Sequence, residues 1–168
     1  DLDDWITRCP IPLIGRNQLT VLDESYNWSP QDLSAVGYLM WDEGNLYVAL
    51  QVRDDVHDAT GSNDSIVQGD SAILAFDPTN RSPRAAGRAF AYYVSSARPG
   101  GGSGMHTLYR PPEFAGGLRA GQLFMDSSIY ELAVKQSERG CVYELRIPFS
   151  ELGGIQPVFG GRFGLSVR

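Results

Sequence analysis

The stretch Val36–Asp54 constrains the fold more than any other part of the chain. Two apolar runs, Val36-Gly37-Tyr38-Leu39-Met40-Trp41 and Leu46-Tyr47-Val48-Ala49-Leu50-Gln51-Val52, flank the polar cluster Asp42-Glu43-Gly44-Asn45. Gly and Asn tolerate the positive φ of a tight turn, so the stretch reads as a β-hairpin. In the second arm Leu46, Val48, Leu50 and Val52 share one face, and Tyr47, Ala49, Gln51 and Arg53 share the other. That period of two is the signature of a strand with one side in a core. Trp41, inside the hairpin, is expected in that core. The arm then runs into acidic residues at Asp54 and Asp55.

The same alternation recurs along the chain. Phe90, Tyr92 and Val94 form one set; Tyr130, Leu132 and Val134 a second; Cys141, Tyr143, Leu145 and Ile147 a third; Phe163, Leu165 and Val167 a fourth. Asp70 to Pro78 carries apolar residues in both phases, which predicts a strand covered on both faces. Cys9-Pro10-Ile11-Pro12 fits only an edge, because proline cannot donate to a ladder, and Gln18 to Leu22 is a further short strand candidate. Ala97 to Gly121 is rich in Gly and Pro and predicts irregular structure across its length. Pro148 to Gly154 offers one helical turn. No segment sustains a helical period. Many short strands with Gly and Pro turns predict an all-β, antiparallel β-sandwich of the jelly-roll or immunoglobulin-like kind.

At 168 residues with 42% hydrophobic content, the chain is the size of one domain, 1–168. It opens abruptly at Asp1 and ends within a strand-like run, as a piece of something longer would, with room for a final strand beyond Arg168. The net charge of −6, without a Lys/Arg block, argues against nucleic acid as a partner. No apolar run is long enough for membrane insertion. Cys9 and Cys141 would close a long loop if they met; as buried thiols they act as small hydrophobes, and whether they pair stays open.

The order of several modest motifs is specific. Tyr38-Leu39-Met40-Trp41-Asp42-Glu43-Gly44-Asn45-Leu46-Tyr47-Val48 is followed by Val52-Arg53-Asp54-Asp55, Gly69-Asp70-Ser71, Phe76-Asp77-Pro78, Tyr143-Glu144-Leu145-Arg146-Ile147-Pro148-Phe149 and Gly164-Leu165-Ser166-Val167. This order, with Asp3-Asp4-Trp5 before it, resembles the family 9 carbohydrate-binding module and its wider group of β-sandwich relatives. The resemblance implies a non-catalytic module of a secreted polysaccharide-processing protein, extracellular or periplasmic, joined to other domains, with structural calcium and aromatic rings that stack on an oligo- or polysaccharide. The family's sugar slot is not reproduced, because Val67 and Ile73 stand where a Trp and a Glu are expected, and its basic residue falls near Ala91.

Asp54, Asp55, Asp58 and Asp70 are the candidate calcium ligands, since a hard cation takes six to eight oxygens; they match no EF-hand spacing. Trp28, Tyr26 and Tyr109 are the candidate sugar contacts, because an aromatic face receives the C–H groups of a pyranose while hydroxyls reach polar neighbours. Catalysis finds no support: neither His57 nor His106 lies in a nucleophile or zinc motif, and Glu144 on an alternating strand reads as a polar-face residue. Two alternatives remain. One is the same fold serving as a structural or protein-contact domain. The other is a haem-binding electron-transfer relative, drawing on Met40, Met105, Met125, His57 and His106.

Overall fold

A computed structural model describes residues 2–18, 27–56, 58–59, 66, 68–80, 90–96 and 129–168, with backbone alone for 107–110 and 121–122. The strands are β1 (Ile11–Leu13), β2 (Leu33–Trp41), β3 (Asn45–Asp54), β4 (Ala72–Asp77), β5 (Phe90–Ser95), β6 (Thr107–Arg110), β7 (Gly121–Gln122), β8 (Glu131–Ser137), β9 (Gly140–Pro148) and β10 (Gly164–Val167). They form two five-stranded antiparallel sheets, ordered β1-β2-β3-β9-β8 and β10-β4-β5-β6-β7. The chain changes sheet between β3 and β4, between β7 and β8, and between β9 and β10. Among the described residues there is no α-helix, and no helix is long and apolar enough to cross a membrane.

The hairpin β2–β3 forms as the alternation predicts, with Trp41 opposite Leu46 and Leu33 opposite Asp54. Its turn is made differently. Neither Gly44 nor Asn45 takes a positive φ. Instead the Asp42 carboxylate accepts the amides of Gly44 and Asn45, each at 2.7 Å, and the Tyr47 hydroxyl, also at 2.7 Å. A side-chain acceptor thus replaces the left-handed backbone that a shorter turn would need. The Tyr47 hydroxyl, then the Gly44 amide, hold the Asp42 carboxyl below its ordinary value. The same hydrogen bond to Asp42 is the main reason that the Tyr47 hydroxyl is raised above its own.

The core lies between the sheets. Leu46, Val48 and Leu50 of β3 and Tyr143, Leu145 and Ile147 of β9 face Leu74 and Phe76 of β4 and Phe90, Tyr92 and Val94 of β5. Phe76 stacks on Phe90 with centroids 5.5 Å apart, and Tyr92 meets both rings edge-on. Each such side chain contributes roughly 1.5–3 kcal/mol by leaving water, and the aromatic contacts add directional preference. β1 is an edge strand, as its prolines require.

Three expectations are corrected. β6 lies inside the Gly- and Pro-rich stretch, because Thr107, Leu108 and Tyr109 pair with Ser95, Val94 and Tyr93. β4 is buried on one face and only half-buried on the other. Cys9 is exposed while Cys141 is buried, and both are free; burial raises the Cys141 thiol above its ordinary value. Of the candidate strand Gln18 to Leu22, Gln18 ends a 3-10 turn and 19–22 lie outside the described residues.

Candidate functional site

Trp41 is 68% exposed, which corrects its expected place in the core. Cross-strand partners share a face of the sheet, so Trp41 is on the same side as Leu46, which is 2% exposed. Leu46 belongs to the buried core cluster, whereas Trp41 lies outside it and opens onto a groove. That groove, of about 650 Å³, sits at the turn end of the sandwich and is lined by Leu39, Trp41, Leu46, Pro78, Phe149, Phe163 and the connection 154–162 between β9 and β10.

The floor of the groove is held by burial and hydrogen bonds. After β9, Phe149–Glu151 makes one 3-10 turn, in which the Leu152 amide donates to the Phe149 carbonyl at 3.1 Å and the Ile155 amide to the Leu152 carbonyl at 3.0 Å. Leu152 is fully buried and Ile155 nearly so. Tyr92 donates its hydroxyl to the Glu151 carbonyl at 2.8 Å, and Tyr130 donates to the Glu151 carboxylate. The connection then folds back in short turns, with Val158 N to Gln156 O and Gly161 N to Val158 O both at 2.9 Å. It presents Val158 and a fully exposed Phe159 to solvent, with Gln156 and Arg162 as the polar side chains of the lining. An open surface of aromatic rings with a few polar groups is suited to a flat amphiphilic ligand.

The residues proposed from sequence are placed elsewhere. Trp28 is half-buried and donates its indole N–H to the Leu33 carbonyl at 2.8 Å, at the opposite end of β2 from Trp41; it lines a recess of about 370 Å³ with Leu13, Leu33, Leu50 and Val167. Tyr109 stands on β6 opposite Tyr93, in the other sheet. Tyr26 lies outside the described residues. The positions of the family's sugar slot fall on β4 and β5, where Ile73 is half-buried and Ala91 is buried; Val67 lies outside the described residues. Sequence reasoning had singled out Trp41 but not its exposure, and it missed Phe159 and Arg162, which carry no alternation or motif.

Of the four acids, Asp58 and Asp70 are brought together. The Asp70 amide donates to the Asp58 carbonyl at 2.9 Å, and the Asp58 amide donates to the Asp70 carboxylate. The Asp54 carboxylate accepts the Val56 amide at 3.3 Å, and Asp55 is exposed. Among the described residues no three His, Cys, Asp or Glu side chains gather as a metal-holding group; residues 60–65 of the loop lie outside them. Of the groups considered for haem, Met40 accepts the Ile6 amide on its sulfur at 3.1 Å, and Met105, Met125, His57 and His106 lie outside the described residues. Glu144 accepts the Trp5 indole N–H at 2.7 Å, and Arg146 pairs with Glu131 at 3.3 Å. Both arrangements tie down the outer face of the first sheet.

Fold and groove together define a β-sandwich binding module. The chain belongs to the family described as carbohydrate family 9 binding domain-like, whose model matches residues 16–168. Among solved structures it is similar to a family 9 carbohydrate-binding module from Caldicellulosiruptor kristjanssonii in complex with glucose, at 23% identity and a TM-score of 0.53, over 80% of this chain and 58% of that one. It is similar to the same organism's module in complex with cellotriose at 22% identity and a TM-score of 0.53, over 80% and 56%. At such identities the likeness concerns the fold. The chain spans little more than half the length of those solved chains. No curated protein matches it.

Proposed function

We propose that this domain is a non-catalytic saccharide-binding module and that the groove beneath Trp41 holds the sugar. The carrying observation is the exposure of Trp41, at 68%, on the core-side face of the first sheet. A tryptophan left open at the end of a core, beside an exposed Phe159, has the geometry for stacking on pyranose rings. Family membership supports the ligand class, and the two solved neighbours carry glucose and cellotriose. The parent would be a secreted polysaccharide-processing protein, extracellular or periplasmic, in which this domain delivers other domains to their substrate.

Calorimetry against a panel of soluble oligosaccharides tests the reading. Binding to at least one class, quenching Trp41 fluorescence as it saturates, is the expected result. A folded protein that binds none would leave the structural or protein-contact alternative.

We also propose that the loop from Asp54 to Asp70 takes calcium, with Asp54, Asp58, Asp70 and backbone carbonyls as ligands and Asp55 at its margin. The reading is supported by the pairing of Asp58 with Asp70 and by the oxygen-rich composition of the loop. An ion at about a hundredfold over its Kd stabilises by about 2.7 kcal/mol. For a domain of this size, chelation should therefore lower Tm by about 5–10 °C. An unchanged melting midpoint after exhaustive chelation would count against a structural ion.

A further inference from the structure

The charge pattern of the groove narrows the ligand class. The protein carries a net charge of −6, yet among the described residues lining the groove the only charged side chain is Arg162, and none is a carboxylate. The acids adjoining the groove in sequence accept hydrogen bonds from neighbouring amides and hydroxyls. Asp42 accepts Gly44, Asn45 and Tyr47, and Asp77 accepts the amide and hydroxyl of Thr79 at 2.9 and 2.7 Å. Arg162 itself is exposed.

Sugar hydroxyls both donate and accept, and an ionised carboxylate is the strongest side-chain acceptor for the hydrogens they donate. This lining offers Gln156 and backbone carbonyls as its acceptors. An arginine donates only, through a planar fork that matches a carboxylate or sulfate. An acidic protein otherwise repels polyanions, so a single cation among apolar residues gives the groove a local preference that the molecule as a whole does not share.

We propose that the groove takes an anionic saccharide, one whose pyranose rings carry a carboxylate or sulfate, with Trp41 stacked on a ring and Arg162 paired to the anion. This rests on the saccharide reading of the same groove.

The test is calorimetry at low salt with tetragalacturonate, a sulfated tetrasaccharide and neutral cellotetraose, on the wild-type chain, Arg162→Gln and Trp41→Ala. At least one anionic probe is expected to bind about tenfold tighter than cellotetraose, the order of one charge-assisted pair. Arg162→Gln should erase that preference, weakening the anionic probe about tenfold more than it weakens cellotetraose, and added salt should erase it too. The two anionic probes separate carboxylate from sulfate as the preferred group. Equal binding of neutral and anionic probes, or a preference that survives in Arg162→Gln, overturns the anionic assignment and leaves the saccharide reading standing. If no probe binds the folded wild-type chain, the saccharide reading fails, and the anionic assignment fails with it.

Discussion

Trp41→Ala is expected to weaken saccharide binding by about tenfold to a hundredfold while leaving the fold intact. Ring stacking on an aromatic side chain is worth on the order of 1–3 kcal/mol by alanine substitution where it has been measured for nucleic-acid bases, and each 1.4 kcal/mol is about tenfold. Two thirds of the Trp41 side chain already faces solvent, so its truncation removes little buried area, and stability should change by no more than about 1 kcal/mol. Trp41→Phe, which keeps a smaller ring, should retain part of the affinity. Paired calorimetry and thermal melts check both halves of this expectation. A variant that binds as tightly as the parent would move the site away from the groove, and one that melts far lower would show that Trp41 serves packing instead.

Gly140→Ala should have the opposite signature, a large loss of stability from a residue remote from the groove. Gly140 starts β9 at φ +129°, a backbone conformation that side-chain-bearing residues rarely adopt and that costs them of order 1–3 kcal/mol. An added Cβ would also lie 2.1 Å from the Val52 carbonyl oxygen and 2.9 Å from its carbon. Those are backbone atoms of the central strand β3, paired with β9 from Arg53 and Gly140 to Asn45 and Pro148, and they can move only if that ladder opens. The loss is therefore expected at about 3 kcal/mol or more, measured by urea unfolding. A value below about 1 kcal/mol would mean that the start of β9 tolerates a different conformation.

These two residues show how differently fold and site were legible. The β2–β3 hairpin, the strands β5, β8, β9 and β10, and the edge character of β1 could be read from the sequence because each depends on a local rule. Side chains of a strand alternate every second residue, and a proline cannot donate to a ladder. β6 was hidden by the glycines and prolines around it, since its pairing with β5 comes from a neighbour that local composition does not reveal. Asp42 was legible as a turn residue. That its carboxylate, rather than a positive φ at Gly44 or Asn45, would hold the turn depended on the Tyr47 hydroxyl reaching back across the hairpin.

The order of motifs from Tyr38 to Val167 was enough to identify the family, and the period of two was enough to identify which residues share a face. The sequence by itself therefore determined the sandwich and, for β3, β8, β9 and β10, which side of the strand faces the core. Only the tertiary structure decided which inner-side residues are covered. Leu46 and Trp41 are cross-strand partners on one face, but Leu46 is buried within the core cluster and Trp41 is left exposed, so one closes the core and the other opens the groove. Alternation is a property of a single strand, whereas burial depends on the length and position of the layer packed against it. For the same reason Phe159 and Arg162, carried on a connection without periodicity, became part of the groove only when the chain folded back beside Trp41.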